Sequence, residues 1–358
     1  MHKRGLLIAG TLTMSVILAG CFQGEQSLKE EMDPPQNAEP VDNLEDSQSG
    51  EQKENAKEGE QPKSETVARE LYLMDANGMV ASQTLELPNP ESKEVASQVL
   101  EYLVKDGPVA QILPNGFQAV LPAGTEVLGI DLQEDGTMIV NLSEEFSNYE
   151  ANDEKKILEA VTYSLTQFEN VKDVQLQMEG KALSEMPVNG TPISQGYSRA
   201  NGINVTDTGT SDLMQSKTVT MFYPAEHDEN RYYVPVTQYV EQKQDADELS
   251  AIVENLVDGP GVQSNVTQVF NPTTTLTSKP SLKDGILQLQ FNNDILKDGE
   301  KAVISDEVME TIVRTMTEVK GVDAVQVSVE NVEQLVNENG EAYTEPVTKQ
   351  QFTPTEEI

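Results

Sequence analysis

The chain has 358 residues, with Lys plus Arg 24 against Asp plus Glu 61 and a formal net charge of -37. A surface of that sign repels phosphate, which excludes nucleic acid and bare anionic lipid as natural partners. One cysteine leaves no intramolecular disulfide and no thiol-rich metal site, and an aromatic content of 5% without tryptophan gives little material for sugar-stacking platforms.

Residues 1–20 read as a lipoprotein signal peptide. His2, Lys3 and Arg4 form a basic start, and the mostly apolar run from Leu6 to Leu18 is too short and too rich in small residues for a spanning helix. The run ends in Leu18-Ala19-Gly20-Cys21, which is similar to the bacterial lipobox. Small residues before the cysteine suit a peptidase, and the Cys21 thiol would then accept a diacylglycerol and anchor the chain in the bilayer. The competing reading is a buried cysteine inside an uncleaved anchor. Residues 21–66 are expected to form a disordered acidic tether. Of residues 22–65, 13 are acidic and four are Lys, so the segment buries too little apolar surface to offset ordering entropy.

A first repeat is expected over 67–199. Leu71 to Met74 and Val80 to Leu87 read as strands joined at Asn77-Gly78, a strong two-residue hairpin signal. Asn89, Pro90 and Glu91 suit a helix start, and Val95, Ala96, Val99, Leu100 and Leu103 fall at helical spacing. That helix runs into Asp106-Gly107-Pro108. There Gly107 is expected in a left-handed cap and Pro108 forbids a further turn. Val127 to Leu132 and Met138 to Leu142 read as strands turning at Asp135-Gly136. A second helix carries Ile157, Val161, Leu165 and Phe168, and Val174, Leu176 and Met178 alternate as a closing strand.

The stretch VLEYLVKDGP at 99–108 has a counterpart, IVENLVDGP, at 252–260. The recurrence sets the architecture, because a second repeat, expected over 217–343, then follows the same plan. Val219 to Phe222 and Tyr232 to Val240 open it, with a longer hairpin loop between them. Asp245 and Glu248 resemble an acidic capping box ahead of Leu249, Ile252, Val253 and Leu256. Leu287, Leu289 and Phe291 follow Asp284-Gly285, Val308, Ile312 and Met316 mark a helix, and Val325, Val327 and Val329 repeat the closing strand. Residues 200–216, rich in Asn, Gly, Thr and Ser, read as a linking joint, and the polar tail 344–358 is expected to lie loose on the surface. The fold class is therefore α+β, as two tandem duplicated domains, each with two helices on a small mixed sheet, behind the tether.

Chemistry is sparse. His227, in Glu226-His227-Asp228-Glu229, reads as a solvated loop histidine, since a metal ligand needs further ligands in fixed geometry. Glu144 and Glu145, with Asn293 and Asp294 as rough counterparts, are the carboxylates to weigh for glycoside hydrolysis, against a plainer role as helix-starting charges. The aspartates of the two Asp-Gly-Pro stretches read as turn residues. No catalytic residue, cofactor or metal is expected.

The motifs LVKDGP, LPAGTEVLGIDLQEDGTMIVNLSEEF and VKDVQLQMEG, with the lipobox, tether and tandem repeats, resemble the GerM-type family. These are sporulation and spore-germination lipoproteins of Bacillus-type bacteria with two GerMN domains. The second repeat departs from the pattern, with Asn271 to Thr275 where the first has Leu121 to Thr125. The resemblance implies domains similar to ring-building modules and a role in assembling the channel between mother cell and forespore, with effects on later germination. It implies a lipid anchor in the mother-cell membrane facing the intermembrane space. Other membrane-associated channel proteins, or further copies arranged as a homo-oligomer or ring, would be the partners. Two other functions compete with docking: a wall hydrolase working through Glu144 or Glu145, and a solute- or cell-wall-binding lipoprotein.

Overall fold

The computed structural model describes residues 66–90, 95–206, 216–241, 247–261, 265–297 and 302–352. The signal peptide, Cys21, the tether up to 65, Glu91, Asp245 and Pro354 lie outside the described residues. Strands β1 (Thr66–Asp75) and β2 (Val80–Pro88) form the expected hairpin, with four residues between them rather than a two-residue turn, and β3 (Phe117–Gln118) adds to the far side of β1. The turn closes on a side chain. Asp75 Oδ1 accepts the N–H groups of Asn77 at 2.9 Å and Met79 at 2.8 Å, while Gly78 takes φ 76°.

Helix α1 is short, Val95–Glu101, and the chain from 102 to 106 continues in turns. The left-handed cap expected at Gly107 is not there: φ is -76° and ψ is -173°, and the residue opens the 3-10 helix Pro108–Gln111. Glycine is needed for a different reason, because a Cβ would stand 2.6 Å from the Glu101 carbonyl oxygen. The close approach arises because Lys105 and Leu103 are hydrogen-bonded to the backbone of Leu121, pulling the chain back on itself. Asp106 serves that same loop, its carboxylate accepting the Gly124 N–H at 2.9 Å.

The main sheet of the first repeat orders β4 (Val127–Leu132), β5 (Thr137–Leu142), β6 (Asp173–Met178) and β7 (Lys181–Ala182), and β8 (Tyr197–Ser198) also pairs with β6. The β4–β5 hairpin is antiparallel and turns at Gly136, φ 98°. β5 and β6 are parallel, joined by a crossover through α2 (Glu154–Leu165). Met138, Val140, Leu142, Val174 and Leu176 bury one face of this mixed sheet. Ten of the 12 residues of α2 are buried, because the helix also packs on β1.

The second repeat opens on β9 (Ser216–His227) and β10 (Asn230–Glu241). Its hairpin loop is not longer, as expected, but tighter. Asn230 pairs with His227 across Asp228 and Glu229, and the additional residues extend both strands. Helix α3 (Glu248–Asp258) starts at Asp247, whose carboxylate accepts the Ser250 hydroxyl at 3.4 Å. This displaces the expected Asp245 start. Here the Asp-Gly-Pro stretch does cap the helix, with Gly259 at φ 87° and ψ 179°, a region that suits glycine alone. Strands β11 (Ser281–Lys283), β12 (Ile286–Phe291) and β13 (Ala324–Val329) form the sheet, with α4 (Asp306–Met316) crossing from β12 to a parallel β13.

The segment after Thr344 is not loose up to 352. Val347 is buried and pairs with Val325, as Tyr197 pairs with Val174 one repeat earlier. A second correspondence is hidden in the helices. Ser164 Oγ of α2 accepts the Tyr72 N–H of β1 at 2.9 Å, and Thr315 Oγ1 of α4 accepts the Phe222 N–H of β9 at 3.0 Å. Both bonds are buried and fasten the opening strand to the second helix.

Ser164→Ala, and Thr315→Val in the other repeat, leave a buried N–H without an acceptor. Each is expected to cost about 1–3 kcal/mol in urea unfolding. An unchanged midpoint would mean that Tyr72 or Phe222 has another acceptor.

Candidate functional site

The carboxylates weighed for hydrolysis sit at the starts of two short helices. Glu144 and Glu145 lie in the first turn of the 3-10 helix Glu144–Ser147, and Asn293 and Asp294 begin the matching 3-10 helix Asn293–Ile295. A glycosidase acid must hold its proton near neutral pH. The Glu145 carboxyl is shifted the opposite way, below its ordinary value, by a hydrogen bond with Ser143. His227, expected as a solvated loop residue, ends β9 instead, and its half-exposed ring lies so close to the first repeat that a Cβ on Gly116 would collide with it. Beside it, Asn115 Nδ2 donates to Asp228 Oδ2 at 2.5 Å. Among the described residues, no group of three or more His, Cys, Asp or Glu side chains is placed to hold a metal ion.

The chemically most organised region is the junction between the repeats. Asp75, at the end of β1, is 1% exposed. Besides the two amides of its own turn, its carboxylate accepts the Tyr232 hydroxyl of β10 at 2.9 Å. The Tyr232 ring meets Phe117 edge-on with centroids 4.7 Å apart, and burial together with Asp75 holds its hydroxyl protonated well above the ordinary range.

The segment read as a linking joint packs tightly through its described part, up to 206. Ile203 is fully buried, its N–H donating to Thr237 Oγ1 at 2.9 Å while its carbonyl accepts the Thr237 N–H at 2.9 Å. Asn204 adopts φ 46°, and its side-chain amide acts as a short piece of strand. Oδ1 accepts the Val80 N–H at 2.9 Å, and Nδ2 donates to the carbonyls of Val80 and Pro235, both at 2.7 Å. One amide thus closes the edges of β2 and β10 against each other.

Two cations complete the junction on Glu318, just past α4. Arg199 lies 4.5 Å over the Tyr163 ring, donates from Nε to Thr166 Oγ1 at 2.9 Å, and reaches Glu318 at 3.8 Å. Lys349, one repeat later, donates to the other Glu318 oxygen at 3.0 Å. The cleft beside Tyr232, about 670 Å³, is lined by six acids and two arginines. Arg314 pairs with Glu310 at 2.6 Å, and Arg231 lies 3.7 Å from Glu226 and 3.5 Å from Glu307.

Glu159 of α2 is the unusual acid. It is 6% exposed, and burial raises its pKa to about 7, opposed by the Asn204 backbone N–H and by Lys156 and Lys155. Sequence reading missed this group, although an acid set between Ile157-Leu158 and Ala160-Val161 was a visible irregularity.

A family model described as Germane, for sporulation and spore germination, matches residues 70–184 and again 220–335. The chain belongs to this family. The Germane relative GerM, a spore germination protein of Bacillus subtilis (strain 168), is 43% identical over 364 aligned residues, covering 98% of each chain. A solved structure of the tandem GerMN domains of the sporulation protein GerM from Bacillus subtilis superposes with TM-score 0.72 at 46% identity, over 79% of this chain and 97% of that one. The family resemblance and the duplicated α+β fold expected from the sequence both hold.

Tyr232→Phe removes a buried donor from the Asp75 carboxylate and is expected to cost about 1.5–3 kcal/mol, read as a lower melting temperature. Glu159 gives a pH test. Its pKa in the folded chain, about 7, lies above the ordinary 4.5, so the folded state holds the proton more tightly. That contribution to stability is complete below pH 4.5 and is lost as pH rises through 7. Glu159→Gln should abolish the decline and leave the protein more stable above pH 7 by on the order of 3 kcal/mol. Parallel pH profiles for the two proteins would rule this assignment out.

Proposed function

We propose that this chain is a non-catalytic, membrane-anchored assembly protein that docks other proteins through its two repeats. Acylation at Cys21 holds it in the bilayer on the extracytoplasmic face. The acidic tether, whose charges repel one another, lets the folded body stand away from the membrane. By its family, the setting is sporulation and later germination. The site of action in this reading is the mother-cell membrane, facing the space toward the forespore, and the partners are membrane-associated channel proteins or further copies in a ring.

The observation that carries the reading is the junction. Asp75–Tyr232, the Asn204 amide and the Arg199–Glu318 pair bind the repeats into one body, so their outer surfaces keep a fixed spacing. Fixed spacing suits the alignment of partners, whereas the carboxylates available for hydrolysis are exposed or committed to structure.

Cys21→Ser should release the protein from the membrane fraction of sporulating cells. Photo-crosslinkers at exposed Leu128 and Leu282, one on each repeat, should yield adducts with membrane channel proteins or with a second copy. Retention of Cys21→Ser in the membrane, or crosslinks to lipid and solvent alone, would contradict the proposal.

A further inference from the structure

A sheet edge is a row of unpaired N–H and C=O groups, and folded proteins cover such edges or guard them. Several described edges here are paired or bridged. β2 and β10 meet through Asn204, β13 carries Val347, and β6 carries β7 and β8. β11 is free but guarded, being three residues long with Pro280 before it and Lys279 and Lys283 around it. Its counterpart β4 has no strand on its outer side among the described residues, and its guards are slight, one bulge and the charge of Asp131. It spans six residues, VLGIDL, with no Lys and no Pro.

The register says which groups are open. Gln133 N–H donates to the Thr137 carbonyl at 2.9 Å, and an antiparallel ladder alternates from there. Asp131 and Gly129 therefore bond to their partners Ile139 and Asn141, while the amides and carbonyls of Ile130 and Leu132 point away from β5. A bulge between Val127 and Gly129 ends the regular stretch. The side chains at this edge are equally incomplete. Leu132 pairs with buried Met138, on the core face, yet is 43% exposed, and Leu128 at the bulge is 45% exposed.

We propose that the β4 edge receives an extended strand from a partner protein, in which apolar residues alternate with Lys or Arg. This deepens the docking reading and rests on it. The apolar positions of an added strand would complete the cover beside Ile130 and Leu132, and the alternate positions would stand beside Asp131 on the other face. Charge selects the occupant. From Asp106 to Glu154 the chain has no Lys or Arg, whereas β4 is flanked by Glu126, Glu134 and Asp135. A second copy of β4 would set acid against acid. The tether, with 13 acids among residues 22–65 and few large apolar side chains, has neither the charge nor the alternation.

The test titrates the full chain with a synthetic peptide of about eight residues alternating Val with Lys, reading peptide anisotropy and amide hydrogen exchange. Binding should slow exchange at Ile130 and Leu132 and leave β11 unchanged. The same peptide with Glu for Lys should bind at least about tenfold more weakly. Leu132→Pro removes an outward N–H without removing a β4–β5 bond, and Leu132→Lys installs a guard like that of β11. Each variant, with its melting temperature checked, should weaken the Val/Lys peptide by about tenfold. Equal binding of both peptides, no binding, protection at another edge, or self-association that protects β4 without peptide would each overturn the proposal. Such a result, with in-cell adducts still forming from Leu282, would remove the β4 strand site and leave the docking reading standing. Loss of both would remove both.

Discussion

The Asp75 carboxylate takes three donors in a place that water does not reach. Two come from its own turn and fix the first hairpin, and the third is the Tyr232 hydroxyl from the other repeat. A buried acid survives only when its lone pairs are occupied, so the turn and the junction are one electrostatic solution. The rest of the junction follows from the same demand. Val80 at the start of β2 and Pro235 in the middle of β10 come together with backbone groups to satisfy, and the Asn204 amide supplies an acceptor and two donated bonds in the space between them.

The duplication shows which details such demands preserve. A hydroxyl on the second helix takes an N–H from the opening strand in both copies, although the residue is Ser164 in one and Thr315 in the other. A cation follows the closing strand pair in both copies, Arg199 and Lys349, and both converge on Glu318. The Asp-Gly-Pro letters are kept, but their backbone is not. In the first copy they form a turn pressed against Glu101, and in the second a glycine helix cap.

That divergence explains what could be read from the sequence. Asn77-Gly78, Asp135-Gly136 and Asp284-Gly285 announce their hairpins because the conformation is decided within the turn itself. The conformation of Gly107 is decided elsewhere, by the pairing of Leu103 and Lys105 with Leu121, and local letters cannot carry it. The polar run around His227 looked like a long loop because its strands extend past their own core, to a tip that rests on Asn115 and Gly116 of the other repeat. Val347 and Phe352 are isolated apolar anchors in a polar tail and produce no periodicity. The junction had no signature at all, since Asp75 and Tyr232 are separated by 157 positions. Glu159 alone left a trace, as an acid among buried apolar helix neighbours.

The position of Asn204 along the chain has a consequence for synthesis. When a ribosome has released only the first repeat, β2 is a finished strand whose partner β10 does not yet exist, and a nascent chain with a bare edge is prone to pair with its neighbours on a polysome. Asn204 emerges ahead of β9 and β10. The residue that bonds both polar groups of Val80 is thus already made when its other partner, Pro235, is added to the chain.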